Sequence, residues 1–228
     1  MKTIGVIGAM PEEVAHLRNK LSDVSEVKTA GLDIFIGTLE GKKVVVCQSG
    51  MGKVNAAAAA QVLITGFGAQ AIINSGIAGN MSVKVGVGDV VLSKEVTYHD
   101  AQLSMIKQAY PYLESYKGDE KLLAAAEKAC KETGVHAISG KIATGDQFVC
   151  EKDVKERIKN FCDPDCVEME GAAIAHVASK NDVPFIIIRA MSDNADEAAL
   201  DHLVIKNFDV SEYCDKAAEI CAKTIIYM

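Results

Sequence analysis

Short apolar runs rich in β-branched residues alternate along this chain with stretches whose apolar positions recur at helical spacing. "TIGVIGA" precedes "PEEVAHLRNKL", and "KVVVCQS" precedes "KVNAAAAAQVLI". Further on, "AIINSG", "DVVLSKEV", "AISGKIAT", "CVEM" and "PFIIIRAM" read as strands, while "KLLAAAEKAC", "EKDVKERIKNF", "GAAIAHVASK" and a segment within Val210 to Ile226 read as helices. Strands so continuously apolar are buried on both faces, which is the mark of a sheet enclosed between helices. "LDIFIGTLEGKKVVV" breaks the alternation, because two extended runs joined by "EGKK" predict an antiparallel hairpin; the sheet is therefore expected to be mixed. No repeat, low-complexity segment or Pro/Gly/Ser-rich linker divides residues 1–228, so the expectation is a single α/β domain with helices flanking a mixed sheet. The one long irregular stretch, "HDAQLSMIKQAYPYLESYKGD", has the length of a loop that carries function or packs on a neighbour.

Charge and composition narrow the partners. A formal net charge of −7 without any basic run argues against nucleic acid, which requires clustered Lys and Arg to neutralise phosphates. The expected ligand is small. "MKTIGVIGAM" reads as a buried first strand rather than a signal peptide, and no apolar run approaches the roughly 20 residues of a membrane span. The 7 cysteines are odd in number and scattered, which favours reduced thiols and a cytoplasmic location over a disulfide framework. Cys162 and Cys166 lack a second Cys/His pair at ligand spacing, so no metal is predicted.

In open α/β sheets, ligands bind beyond the carboxyl ends of the strands. After "TIGVIGA" comes "MPEEV", where Pro11 suits the first helical position and Glu12 and Glu13 occupy the first turn; acids there also serve simply to stabilise the helix dipole. Gly5 and Gly8 fall short of a dinucleotide fingerprint, and "GMGKV" lacks the residues of a phosphate loop, reading instead as a tight turn. "AIINSGIAGN" reads as a strand followed by a glycine-bearing loop. "KIATGDQFVC" sets Asp146, Gln147 and Phe148 at a strand end, with Phe148 either in the core or against a planar base. In "PFIIIRAMSDNADE", Arg189 interrupts an apolar strand and requires a paired carboxylate. Glu168 and Glu170 of the preceding strand are the expected suppliers, on the rule that consecutive elements are neighbours. Asp193 fits either a turn or a site. Four acids (Glu13, Glu168, Glu170 and Asp193) around one buried arginine suit a ligand with several hydroxyls and a reaction needing one acid and one base.

The set "IGAMPEEV", "SGMGKVNAA", "GIAGN", "VGDVVLS", "YHD", "TGDQF", "VEMEGAAIAHVA" and "VPFIIIRAMSDNAD" closely resembles the bacterial 5′-methylthioadenosine/S-adenosylhomocysteine nucleosidases of the purine nucleoside phosphorylase superfamily, in order and over nearly the whole chain. The resemblance implies a twisted mixed sheet, a homodimer, no metal or other cofactor, and hydrolysis of an N-glycosidic bond to adenine and a 5′-substituted ribose. It implies Glu13 as the base that activates water and Asp193 as the acid that protonates adenine N7. It implies Met169 and Glu170 at the ribose, Phe148 stacked on adenine, and backbone groups of Val149 at the base edge. Ala9, Met51 and Phe208 would line the pocket, together with Ile77, Ala78, Gly79, Glu168, Arg189, Ser192 and Ala195. Where related phosphorylases resemble "IRVGS" this chain has "INSGI", so Asn74 stands for a phosphate-binding arginine and water is the better nucleophile. Two departures bear on substrate choice among methylthioadenosine, adenosylhomocysteine, 5′-deoxyadenosine and futalosine. Ile77 stands where the family often has serine, and residues 101–117, which in the family wall the neighbour's 5′ site, lack its usual pattern.

Overall fold

The computed structural model describes residues 2–199 and 209–228. Its elements follow in the order β1 (Thr3–Gly8), α1 (Pro11–Lys20), β2 (Ser22–Thr29), β3 (Leu32–Leu39), β4 (Lys42–Gln48), α2 (Lys53–Phe67), β5 (Ala69–Asn80), β6 (Val90–Tyr98) and α3 (Leu103–Ile106). They continue with β7 (Ser115–Lys117), α4 (Glu120–Thr133), β8 (Ala137–Thr144), α5 (Lys152–Cys162), β9 (Cys166–Glu168), α6 (Gly171–Lys180), β10 (Phe185–Asp193), α7 (Glu197–Ala199) and α8 (Ser211–Tyr227).

The apolar runs become the central strands. Every residue of β1 and of β10 is buried, as helices on both faces demand. Parallel pairing joins β4, β1, β5 and β10, while the "EGKK" turn produces the antiparallel β3–β4 hairpin. The mixed sheet expected from the sequence is thus the sheet observed. Pairing also runs from β10 to β6, β8, β9 and back to β5, so these five strands close into a ring.

Helices α2 and α6 pack together on one face, and α1, α4 and α8 cover the other. Their faces follow from spacing: Ala56, Ala59, Ala60 and Leu63 of α2 recur at helical period, and alanine lets that helix lie close on the sheet. Helix α4 begins where the Asp119 side chain accepts the backbone N–H groups of Lys121 and Leu122, satisfying donors the first turn leaves open. No described helix is long and apolar enough to cross a membrane.

The structure corrects three expectations. Strand β2 is exposed at every residue and carries no apolar alternation, so the sequence pattern passes over it. Strand β5 does not stop at Gly76 but runs to Asn80, and "GIAGN" is therefore strand rather than loop; its far end pairs with both β9 and β10. Strand β9 is not the neighbour of β10, because β5 lies between them. In the irregular stretch after Tyr98, α3 and β7 give short pieces of regular structure.

Candidate active site

A cavity of about 510 Å³, within the usual range for a small-molecule site, opens where β1, β5, β9 and β10 end. Ala9, Met10 and Glu13 come to it from the start of α1, and Ile77, Ala78 and Gly79 from β5. Val167, Glu168, Met169 and Glu170 arrive from β9 and its end, Arg189, Ser192 and Asp193 from β10, and Met51 and Phe148 from two loops. Glu12 also reaches it, as do Asp209, Val210 and Ser211 before and at the start of α8. Of these, Asp209, Val210, Ser211, Val167 and Met10 were not among the residues expected at the site, and Glu12 was expected only as a first-turn acid of α1.

Glu13 sits in the first turn of α1 yet faces inward, buried to 3 % exposure. Its Oε2 accepts the amides of Ala9 at 2.6 Å and Met10 at 3.1 Å, and its Oε1 accepts the amide of Ile77 at 3.1 Å. Three N–H donors suit the carboxylate form, while burial drives its pKa up against the opposing pull of Arg189 and those amides. An added Cβ at Gly76 would collide with this carboxylate and with the Arg189 guanidinium, so only glycine allows the strand to pass so near.

Arg189 is 1 % exposed. Its Nη2 donates to Glu168 Oε2, to Asn74 Oδ1 and, at 3.3 Å, to Glu170 Oε2, while Nη1 donates to the Ile77 carbonyl at 3.1 Å and lies 3.9 Å from Glu13 Oε1. Burial opposes its charge, but Glu168, Glu170 and Glu13 more than offset that and raise its pKa. The partner expected from a neighbouring strand does reach it, across β5 rather than from beside β10.

The two glutamates of "CVEME" divide. Glu168 is enclosed: Thr144 donates to its Oε1, and the amides of Glu170 and Gly171 donate to Oε2 at 3.1 and 2.7 Å. Thr144, which also accepts the Ala172 amide at 2.8 Å, was not foreseen as part of this assembly. Glu170, at the head of α6, is buried with its Oε1 accepting the Gly52 amide at 2.9 Å. Burial lifts its pKa to about 7; Arg189 and the Gly52 amide pull downward, and Glu168 and Glu13 push upward.

Asp193 closes the far side. The Ala195 amide donates to its Oδ1 and the Ser192 hydroxyl to its Oδ2, both at 2.7 Å. The first contact is the Asx-type turn that the sequence left open, so turn and pocket wall are one residue. Burial raises its pKa, and the two hydrogen bonds lower it by less.

Two further candidates sit differently from the rest. Val149 borders a smaller recess of about 40 Å³, shared with Phe148, Met169 and Asp193. Ala195 lies fully buried behind Asp193, where its amide holds the carboxylate, and is not on the cavity wall. Phe208 lies outside the described residues.

Comparison with known proteins adds the family. Residues 3–226 match the family model described as the phosphorylase superfamily. The 5′-methylthioadenosine/S-adenosylhomocysteine nucleosidase of Shewanella pealeana is 41 % identical over 98 % of this chain and 96 % of its own. The crystal structure of the corresponding Neisseria meningitidis nucleosidase, in complex with methylthio-immucillin-A, superposes with a TM-score of 0.93 at 34 % identity, covering 100 % of both chains. Futalosine hydrolase of Helicobacter pylori gives a TM-score of 0.91 at 29 % identity, covering 100 % of this chain and 98 % of its own. With four acids gathered about one buried arginine at the strand ends and these likenesses running the length of the chain, the protein belongs to the 5′-methylthioadenosine/S-adenosylhomocysteine nucleosidase family of the phosphorylase superfamily.

Proposed function

We propose that the protein hydrolyses the N-glycosidic bond of 5′-substituted adenosines such as methylthioadenosine and S-adenosylhomocysteine, with Glu13 and Asp193 as base and acid. The observation that carries this reading is the pairing of two buried carboxyls in unlike settings on one cavity. Burial raises the pKa of both, and their partners set them apart: Glu13 receives three backbone amides and lies near Arg189, which suits a proton acceptor, whereas Asp193 receives one amide and one hydroxyl and has no ion-pair partner among the described residues, which suits a proton donor. Asp193 gives its proton to adenine N7 as the C1′–N9 bond breaks and its electron pair passes to the base. Water attacks C1′ and yields a proton to Glu13. Glu170 accepts hydrogen bonds from the ribose hydroxyls beside Met169, and Phe148 covers the adenine, with the Val149 backbone at its edge.

Water rather than phosphate is the nucleophile in this reading, because Arg189, the arginine on the cavity wall, is already engaged by carboxylates and Asn74. A homodimer in the cytoplasm completes the proposal. Its support is the exposure of Met51, Met105, Tyr110, Tyr112 and Leu113, which gives apolar surface near the cavity mouth and on the stretch after β6. The Helicobacter pylori likeness favours a second reading, in which the base released comes from futalosine.

The test is product analysis after incubation with methylthioadenosine, with and without phosphate. Adenine and free methylthioribose in both cases are expected. Strict phosphate dependence with a sugar phosphate product, or turnover of futalosine alone, would sink the first reading.

A further inference from the structure

The turn "GMGKV" brings Met51 and the Gly52 amide to the site, and two further loops, at Asp100 and Asp146, meet on it. Gly52 takes φ of 94°, a backbone conformation open chiefly to glycine, and so aims its amide at Glu170 Oε1, 2.9 Å away. The next residue, Lys53, is clamped from both ends. Its backbone N–H donates to Asp146 Oδ1 at 2.8 Å, and its ammonium donates to Asp100 Oδ1 and Oδ2 at 2.8 and 2.7 Å while lying 3.5 Å from Asp146 Oδ2. The Asp146 amide returns to Asp100 Oδ2 at 2.9 Å, closing the set. The Lys53 and Asp100 side chains are only 22 % and 24 % exposed, so their charge-assisted contact is partly shielded from solvent, while the Asp146 side chain, at 49 %, holds chiefly through the Lys53 amide.

Such a closed network is more than a surface ion pair needs to hold a helix start. From it we infer that Lys53 and Asp146 are positioning residues: by fixing the turn they keep the Gly52 amide on Glu170, and thereby set how the Glu170 carboxylate meets the hydroxyls of a bound nucleoside. The inference rests on the ribose-binding role proposed for Glu170. With the clamp loosened, Glu170 keeps its weaker contact to Arg189, which draws it toward the arginine and away from the ligand.

The test is equilibrium binding to the protein, by calorimetry, of a 7-deaza analogue of methylthioadenosine, which has no N7 to protonate and so is not turned over, and of the 2′,3′-dideoxy counterpart of that analogue, which lacks the hydroxyls. The wild-type protein prefers the first ligand. In Lys53→Met and Asp146→Ala that preference shrinks by about tenfold, the worth of one charge-assisted hydrogen bond. Asp146→Asn retains the oxygen that accepts the Lys53 amide and restores most of the preference. A merely structural clamp weakens both ligands alike and leaves their ratio unmoved. An unmoved ratio in either variant, or a wild-type protein that does not distinguish the two ligands, overturns the inference. Whether wild type releases adenine is read separately, so failure of the hydrolytic reading is distinguishable from failure of the clamp.

Discussion

Removing Arg189 tests the electrostatic logic of the whole site. In Arg189→Met a guanidinium at 1 % exposure is replaced by an apolar chain, and Glu168, Glu170 and Glu13 lose their shared cation. Breaking a buried pair from one side costs about 3–5 kcal/mol, because the charge left behind has neither water nor partner. The remaining hydrogen bonds moderate this for Glu13, with three amides, and for Glu168, with Thr144 and two amides; Glu170 is left chiefly with the Gly52 amide. The cost therefore depends on pH. Glu170 has a folded pKa raised from 4.5 to about 7, so its contribution to stability is complete below 4.5 and is lost as pH rises through 7. Arg189 is the cation that holds this value down. Without it the folded value climbs further, and the loss continues above pH 7 at up to about 1.4 kcal/mol per pH unit for each proton involved. Urea unfolding at fixed protein concentration should show the variant about 3–5 kcal/mol less stable at pH 8, with the deficit about 1–2 kcal/mol smaller at pH 6. A deficit below about 1 kcal/mol at pH 8, or one that is equal or larger at pH 6, would refute the reasoning.

Two further substitutions probe the proposed chemistry. Asp193→Asn keeps the shape of the side chain but removes its proton, so turnover of methylthioadenosine should fall by about 10²–10⁴-fold while affinity for its 7-deaza analogue, which is not turned over, changes little by calorimetry; unchanged turnover would leave Asp193 as a turn residue. Gly76→Ala drives a methyl group against Glu13 and Arg189, and should cost about 1–3 kcal/mol in unfolding experiments together with most of the activity. Full activity in that variant would mean that β5 can shift away from the carboxylate at no cost.

Much of the fold was legible because burial leaves a pattern. Fully buried β1 and β10 read as apolar runs, the second interrupted only at Arg189 before its polar end, and the β3–β4 turn announced itself. Strand β2 was invisible for the opposite reason: a strand exposed along its whole length has no face to mark. The site was legible as chemistry before it was legible as geometry. Acids at strand ends and an arginine in an apolar run pointed to one place, but the supply of Glu168 and Glu170 across β5 depends on a strand order that adjacency in sequence does not give. Thr144 and Lys53 were missed because neither is an unusual residue where it stands. Their roles come only from what the closed ring and the two loops bring to them.

That gathering has a kinetic meaning. The contacts that define the cavity span long stretches of chain: 64 residues between Glu13 and Ile77, 115 between Asn74 and Arg189, and 118 between Gly52 and Glu170. Each requires its intervening loop to close before it returns any stabilisation, and interactions of such high contact order form late in folding. A half-folded chain can hold helices and the β3–β4 hairpin, yet it cannot hold this arrangement of acids around one arginine. Binding of a nucleoside would then report completion of the native state, and a ligand present during refolding would act on the last step rather than the first.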